Sequence, residues 1–89
     1  MKKLHEQILE ELYFIQSFHQ LTGLLESDSA EISAALSMLL QEKLIDQFTF
    51  ETSANEFLRK EIPDFQNLEN SSFVISKKGL LALHSPEEK

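Results

Sequence analysis

Two adjacent pairs of cations, Arg59–Lys60 and Lys77–Lys78, and the stretch "SDSAEISAALSMLLQEKLI", Ser27 to Ile45, are where this chain could do chemistry on a partner. The cations could hold phosphate oxygens. The stretch could read bases: Gln41 has the donor–acceptor pair that matches adenine, Ser37 suits several bases, and Ala30 and Ala34 offer methyl groups to thymine. Grip on DNA, however, comes from cations that neutralise phosphates, and the only one in the stretch is Lys43 at its far end.

Catalytic arrangements are not evident. His5, His19 and His84 are far apart, and neither His5 nor His19 has an acid or histidine at the i+4 spacing of a helical zinc pair. Glu10 and Glu11 are adjacent and so point to different sides of a helix. Gly23 and Gly79 are the only two glycines, too few for a phosphate-cradling loop. The expectation is a protein that is not an enzyme and uses neither metal nor cofactor.

The elements that position these residues follow from hydrophobic spacing. Leu4, Ile8, Leu12, Ile15 and Phe18 predict a first helix with one broad apolar face. Leu9 and Tyr13 fall on a second flank, which is either packed internally or a candidate homodimer contact. Ser17 with Gln20 makes a capping box for a second helix to about Leu25, burying Phe18, Leu21, Leu24 and Leu25. Asp28 with Glu31 makes another for a third helix, about Ser29 to Lys43, whose inward face is Ile32, Ala35, Leu36, Leu39 and Leu40. "LIDQFTFET" alternates with a period of two and predicts a half-buried strand with Phe48 and Phe50 on one side and Gln47, Thr49 and Glu51 on the other. "SANEFLRKEI" reads as a short helical turn capped by Ser53 with Glu56 and ended by Pro63. "SFVIS" reads as a second strand, Ser76 as the cap of a last short helix, and "SPEEK" as a disordered tail over 85–89. The 89 residues form a single domain, with the wing and its long connection spanning about 46–76.

The order is three helices, a strand, a long connection, a strand and a helix. "FHQLTGLLESDSAEISAALSMLLQEKLI" followed by "FVISKKGLLAL" resembles the core of winged helix-turn-helix regulators of the MarR and PadR kinds. "FVISKKG" is similar to the aromatic-x-Leu-Thr-x-x-Gly ending of that family's second wing strand, and "EKLI" stands where a glycine often precedes Leu-Ile. The resemblance implies an α+β winged helix: a three-helix core, a two-stranded wing hairpin and a short C-terminal helix. It departs from the family at the tight turn, which has Glu26, and at the wing, where about twenty residues separate the strands.

Charge sharpens the functional choice. The net charge is −7, and residues 1–56 hold three basic against ten acidic residues, whereas 57–89 hold five against five. A DNA-reading helix would therefore sit in the acidic part, against the electrostatic footprint of nucleic-acid binders. The outward face of the third helix shows Ala30, Glu31, Ala34, Ser37, Met38, Gln41 and Glu42, among which Ala30, Ala34 and Met38 form a shallow apolar stripe. Such a stripe, ending in a flexible thioether, suits contact with another protein, or is an unused helix face. The expectation is a regulatory or adaptor module that binds a protein partner. The competing class is a small DNA-binding transcriptional regulator using Arg59, Lys60, Lys77 and Lys78. Absence of cysteine, of a signal-peptide core after Met-Lys-Lys and of a membrane-length apolar run points to a cytoplasmic protein with no membrane partner.

Overall fold

The computed structural model describes residues 3–84. The cations Lys2 and Lys89 and the tail over 85–89 lie outside them. The fold is α+β, with four helices and a four-stranded antiparallel sheet. In chain order the elements are α1 (Lys3–Glu11), β1 (Gln16–Ser17), α2 (Phe18–Leu24), α3 (Ser29–Gln41), β2 (Ile45–Glu51), β3 (Glu56–Lys60), a 3-10 turn (Leu68–Asn70), β4 (Ser72–Ile75) and α4 (Lys77–His84).

The first helix is shorter than its apolar spacing suggests. The Leu12 carbonyl accepts the Ile75 amide (2.8 Å), and Gln16 and Ser17 pair with Phe73 and Ser72. Pairing with a strand distant in sequence pulls residues 12–17 out of helical geometry. Phe14 is left exposed, while Ile8, Leu9, Leu12 and Phe18 enter the core. Both capping boxes are in place: the Gln20 amide donates to Ser17 Oγ (3.1 Å) and the Glu31 amide to Asp28 Oδ1 (2.8 Å). In α2, Phe18 and Leu21 are buried and Leu25 packs at the core's edge, but Leu24 is exposed because the seven-residue helix turns it away from the core. In α3 the five inward residues are all buried.

The sheet order is β1-β4-β2-β3. Gln47 on β2 pairs with Phe73 on β4, and the strand continues into a hairpin with β3 in which Phe50 pairs with Phe57. Residues 56–60 are thus a strand, not a helical turn: Asn55, at φ 54°, takes the left-handed conformation that closes the hairpin. The connection that the sequence suggested between two strands contains a third. Of the two sides of β2, the one that carries Gln47 is turned inward. Ile45 and Gln47 face the core, whereas Phe50 is 48% exposed. Alternation defines two faces of a strand without saying which is inside.

The core is one cluster joining α1, α2, α3, β2, the 3-10 turn and β4, with Phe73 and Leu36 fully enclosed. α4 seats on it at Gly79, where an added Cβ would lie 2.1 Å from the Leu44 carbonyl oxygen and 2.7 Å from Ile75 Cγ1.

Candidate functional site

The outer face of α3 is presented by its two ends. Asp28 and Glu31 close the start. At the finish the Leu44 amide donates to the Leu39 carbonyl (2.9 Å) and the Lys43 amide to the Leu40 carbonyl (3.0 Å), a Schellman closure with Lys43 at φ 63°. Between these ends Ala30, Ala34, Met38 and Gln41 are exposed and Ser37 is half-buried. Two shallow clefts flank this face. One of about 380 Å³ lies between α1 and α3 and is lined by Leu4, His5, Glu31, Ala34 and Met38. The other, of about 360 Å³, separates Ser33, Ala34 and Ser37 from the segment Phe65–Asn70.

That segment is held by a residue from the polar side of the alternating pattern. Gln47, 1% exposed, donates through Nε2 to the Asp64 carbonyl (3.1 Å) and Ser71 Oγ (2.9 Å), and its Oε1 accepts the Asp64 amide (2.8 Å). Buried Ser71 in turn donates to the Asn67 carbonyl (2.6 Å). All polar atoms of the Gln47 amide group are therefore used, which is what makes its burial tolerable. The Asp64 carboxylate accepts from Asn67 Nδ2 (2.6 Å) and from the Gln66 amide (3.2 Å). These bonds, the Asn67 one above all, together with nearby Lys60, hold its pKa below the ordinary 3.8. Alternating polarity gave no signal for Gln47, since its partners lie 17 and 24 positions away.

A second surface gathers the cations. A groove of about 550 Å³ is bounded by the end of α3, the start of β2, the end of β3 and the first turn of α4. Arg59, Lys60, Lys77 and Lys78 all line it, and so does Lys43, together with the acids Asp46 and Glu61. Five cations against two carboxylates make it a positive region in a chain of net charge −7. Two of the cations are engaged: Arg59 Nη2 lies 3.1 Å from Asp46 Oδ1, and Lys60 Nζ lies 3.9 Å from Asp64 Oδ2. Lys77 and Lys78 are exposed and belong to neither pair. Ser76 sets their direction, donating to the Lys43 carbonyl (2.8 Å) and accepting the Gly79 amide (3.0 Å), so that α4 starts directly beside the end of α3.

Of the two readings left open for the flank of Leu9 and Tyr13, Leu9 takes internal packing. Leu9 has no exposed surface, because it packs within the core between α1 and its neighbours. Tyr13 is 43% exposed, and its hydroxyl shares a hydrogen bond with His84 Nε2 across stacked rings. It closes α4 onto the end of α1.

His19 meets the edge of Phe18. Among the described residues no three His, Cys, Asp or Glu side chains gather as a metal site, and no helix is long and apolar enough to cross a membrane. No family model matches the chain, and comparison with curated proteins and with solved structures likewise returns no match.

Proposed function

We propose that this chain is a non-enzymatic regulatory or adaptor module that uses a winged-helix scaffold for protein–protein contact. Support for the scaffold comes from α2 and α3 joined by a tight capped turn, with β2 and β4 paired behind them and β1 at the sheet edge. The observation that carries the functional reading is the outer face of α3. From Ser29 to Gln41 it has no cation, it exposes Met38 to 49%, and it is flanked by clefts whose walls include Glu31 and Glu69. Apolar at the centre and acidic at its margins, this surface fits a partner with apolar side chains ringed by basic ones. It repels the phosphate backbone that a recognition helix must approach. The test is affinity capture with wild-type protein and Met38→Glu from the same cells. A partner retained by the wild type and lost by the variant, with thermal unfolding unchanged, is the expected result. Identical capture by both proteins would remove this face from the site.

The basic groove favours a second reading, a small transcriptional regulator whose phosphate contacts come from Lys43, Lys77 and Lys78 instead of α3. Fluorescence anisotropy of a generic duplex at low and near-physiological salt decides it. Binding whose salt dependence flattens in Lys77→Ala/Lys78→Ala, by about one released ion for each lysine that touches a phosphate, would bring the groove forward. No binding at low salt leaves the protein-contact reading in place.

A further inference from the structure

We infer that β3 is a self-complementary edge through which two copies of this chain join their sheets into one. β3 ends the sheet order, so among the described residues its outer side is paired with no strand of its own chain. Its sequence, Glu56-Phe57-Leu58-Arg59-Lys60, keeps Phe57 at 44% and Leu58 at 43% exposure, an unusual surface for an isolated sheet edge.

Antiparallel self-pairing about a two-fold axis through Leu58 sets Glu56 opposite Lys60 of the second copy, Phe57 opposite its Arg59, and Leu58 opposite its Leu58. Directly opposed residues share a face of the sheet, so each match is a true side-chain contact. Both ends then carry opposite charges, and both aromatic rings meet a guanidinium. Other registers lose these matches. A slip by one pair in one direction opposes Arg59 to Arg59 and leaves the glutamates unmatched; in the other it opposes Phe57 to Phe57 and sets Glu56 against Leu58. Slips of odd number break the inward–outward alternation of the backbone groups.

A second observation points the same way. Within one chain Glu51 and Glu56 are directly opposed on β2 and β3, a like-charge pair that costs stability. Lys60 of the second copy would arrive beside that pair. Phe50 and Phe57, in edge-to-face contact at 5.2 Å, would lie beside the joined strands on the opposite face.

Five paired residues a side are a small contact, so the association is weak, with a dissociation constant on the order of micromolar or above. Sedimentation of the full chain across a concentration series reads it directly. Wild type dimerises with rising concentration. Glu56→Lys and Lys60→Glu each place like charges opposite one another at both ends, and each weakens the dimer by at least about tenfold. Mixing the two variants restores opposite charges at both ends, so they form a heterodimer although neither self-associates. This mixture separates pairing from any folding defect, which matters because Lys60→Glu also removes the ion pair with Asp64. A monomer throughout the series, a dimer indifferent to either reversal, or a mixture that stays monomeric would each overturn the inference.

Discussion

From α1 to Leu44 the inward positions are apolar and α2 and α3 are closed by groups three to five residues away, whereas the segment 64–71 is held by a buried glutamine that reaches across 17 and 24 positions. The two regions also differ at the surface. The outer face of α3 presents small residues and one methionine, while the hairpin exposes Phe50, Phe57 and Leu58. Apolar burial is non-directional and tolerates adjustment of its neighbours; a buried amide with every polar atom engaged has one geometry and loses it as a unit. The helical region is thus the stable base, and the connection is a fitted part whose position against α3 depends on a few hydrogen bonds.

The largest effect is expected where α4 meets the base. In Gly79→Ala the new Cβ meets the Leu44 carbonyl, which belongs to the backbone and cannot turn aside. The helix must shift, at a cost of about 3 kcal/mol, read as a lowered denaturant midpoint. Gly23→Ala is the matched control, because nothing lies within 4 Å of a Cβ there. Equal effects at the two glycines would mean that the seating of α4 is looser than the close approach indicates.

A smaller and more local effect separates the two regions. Gln47→Leu keeps much of the volume but leaves the Asp64 amide without its acceptor and the Ser71 hydroxyl without one of its partners. The cost is about 2 kcal/mol. Its expected signature is faster hydrogen exchange across residues 64–71 with little change at the inward positions of α3 beyond the global loss. Uniform acceleration through both regions would abolish the distinction and make Gln47 part of one cooperative core.

The same contrast decides what could be read from the sequence. Ser17 with Gln20, Asp28 with Glu31, and the inward face Ile32, Ala35, Leu36, Leu39 and Leu40 were readable because their partners lie within a turn or two of helix. The end of α1 was not, since β4 determines it through Leu12, Gln16 and Ser17. Nor was β3: Ser53 followed by Glu56 has the spacing of a helix cap, but in the folded chain the Ser53 hydroxyl donates to the Glu51 carboxylate within the hairpin turn. At the candidate sites, the exposure of Ala30, Ala34, Met38 and Gln41 followed from helical period alone. The convergence of Arg59–Lys60 with Lys77–Lys78 and Lys43 did not, because it requires the sheet to fold α4 back beside α3. The one sequence signal for Lys43 was its place, at the end of the third helix just before Leu44 and Ile45.

That place gives the smallest prediction and the finest comparison between the regions. Each contains one left-handed residue, Lys43 at φ 63° closing α3 and Asn55 at φ 54° closing the hairpin. Asparagine visits this conformation at little cost, whereas a lysine Cβ crowds the following carbonyl. Lys43→Gly should therefore stabilise the chain by about 1 kcal/mol, even after the added freedom of glycine in the unfolded state is counted. Asn55→Gly should change it by only about 0.3 kcal/mol, because relief of strain and unfolded-state freedom nearly cancel. A midpoint raised in Lys43→Gly and unmoved in Asn55→Gly is the expected pair. If Lys43→Gly instead lowers stability, the lysine stem must be packing along the groove wall strongly enough to outweigh its strain, and the groove would then be part of what holds α4 to the base.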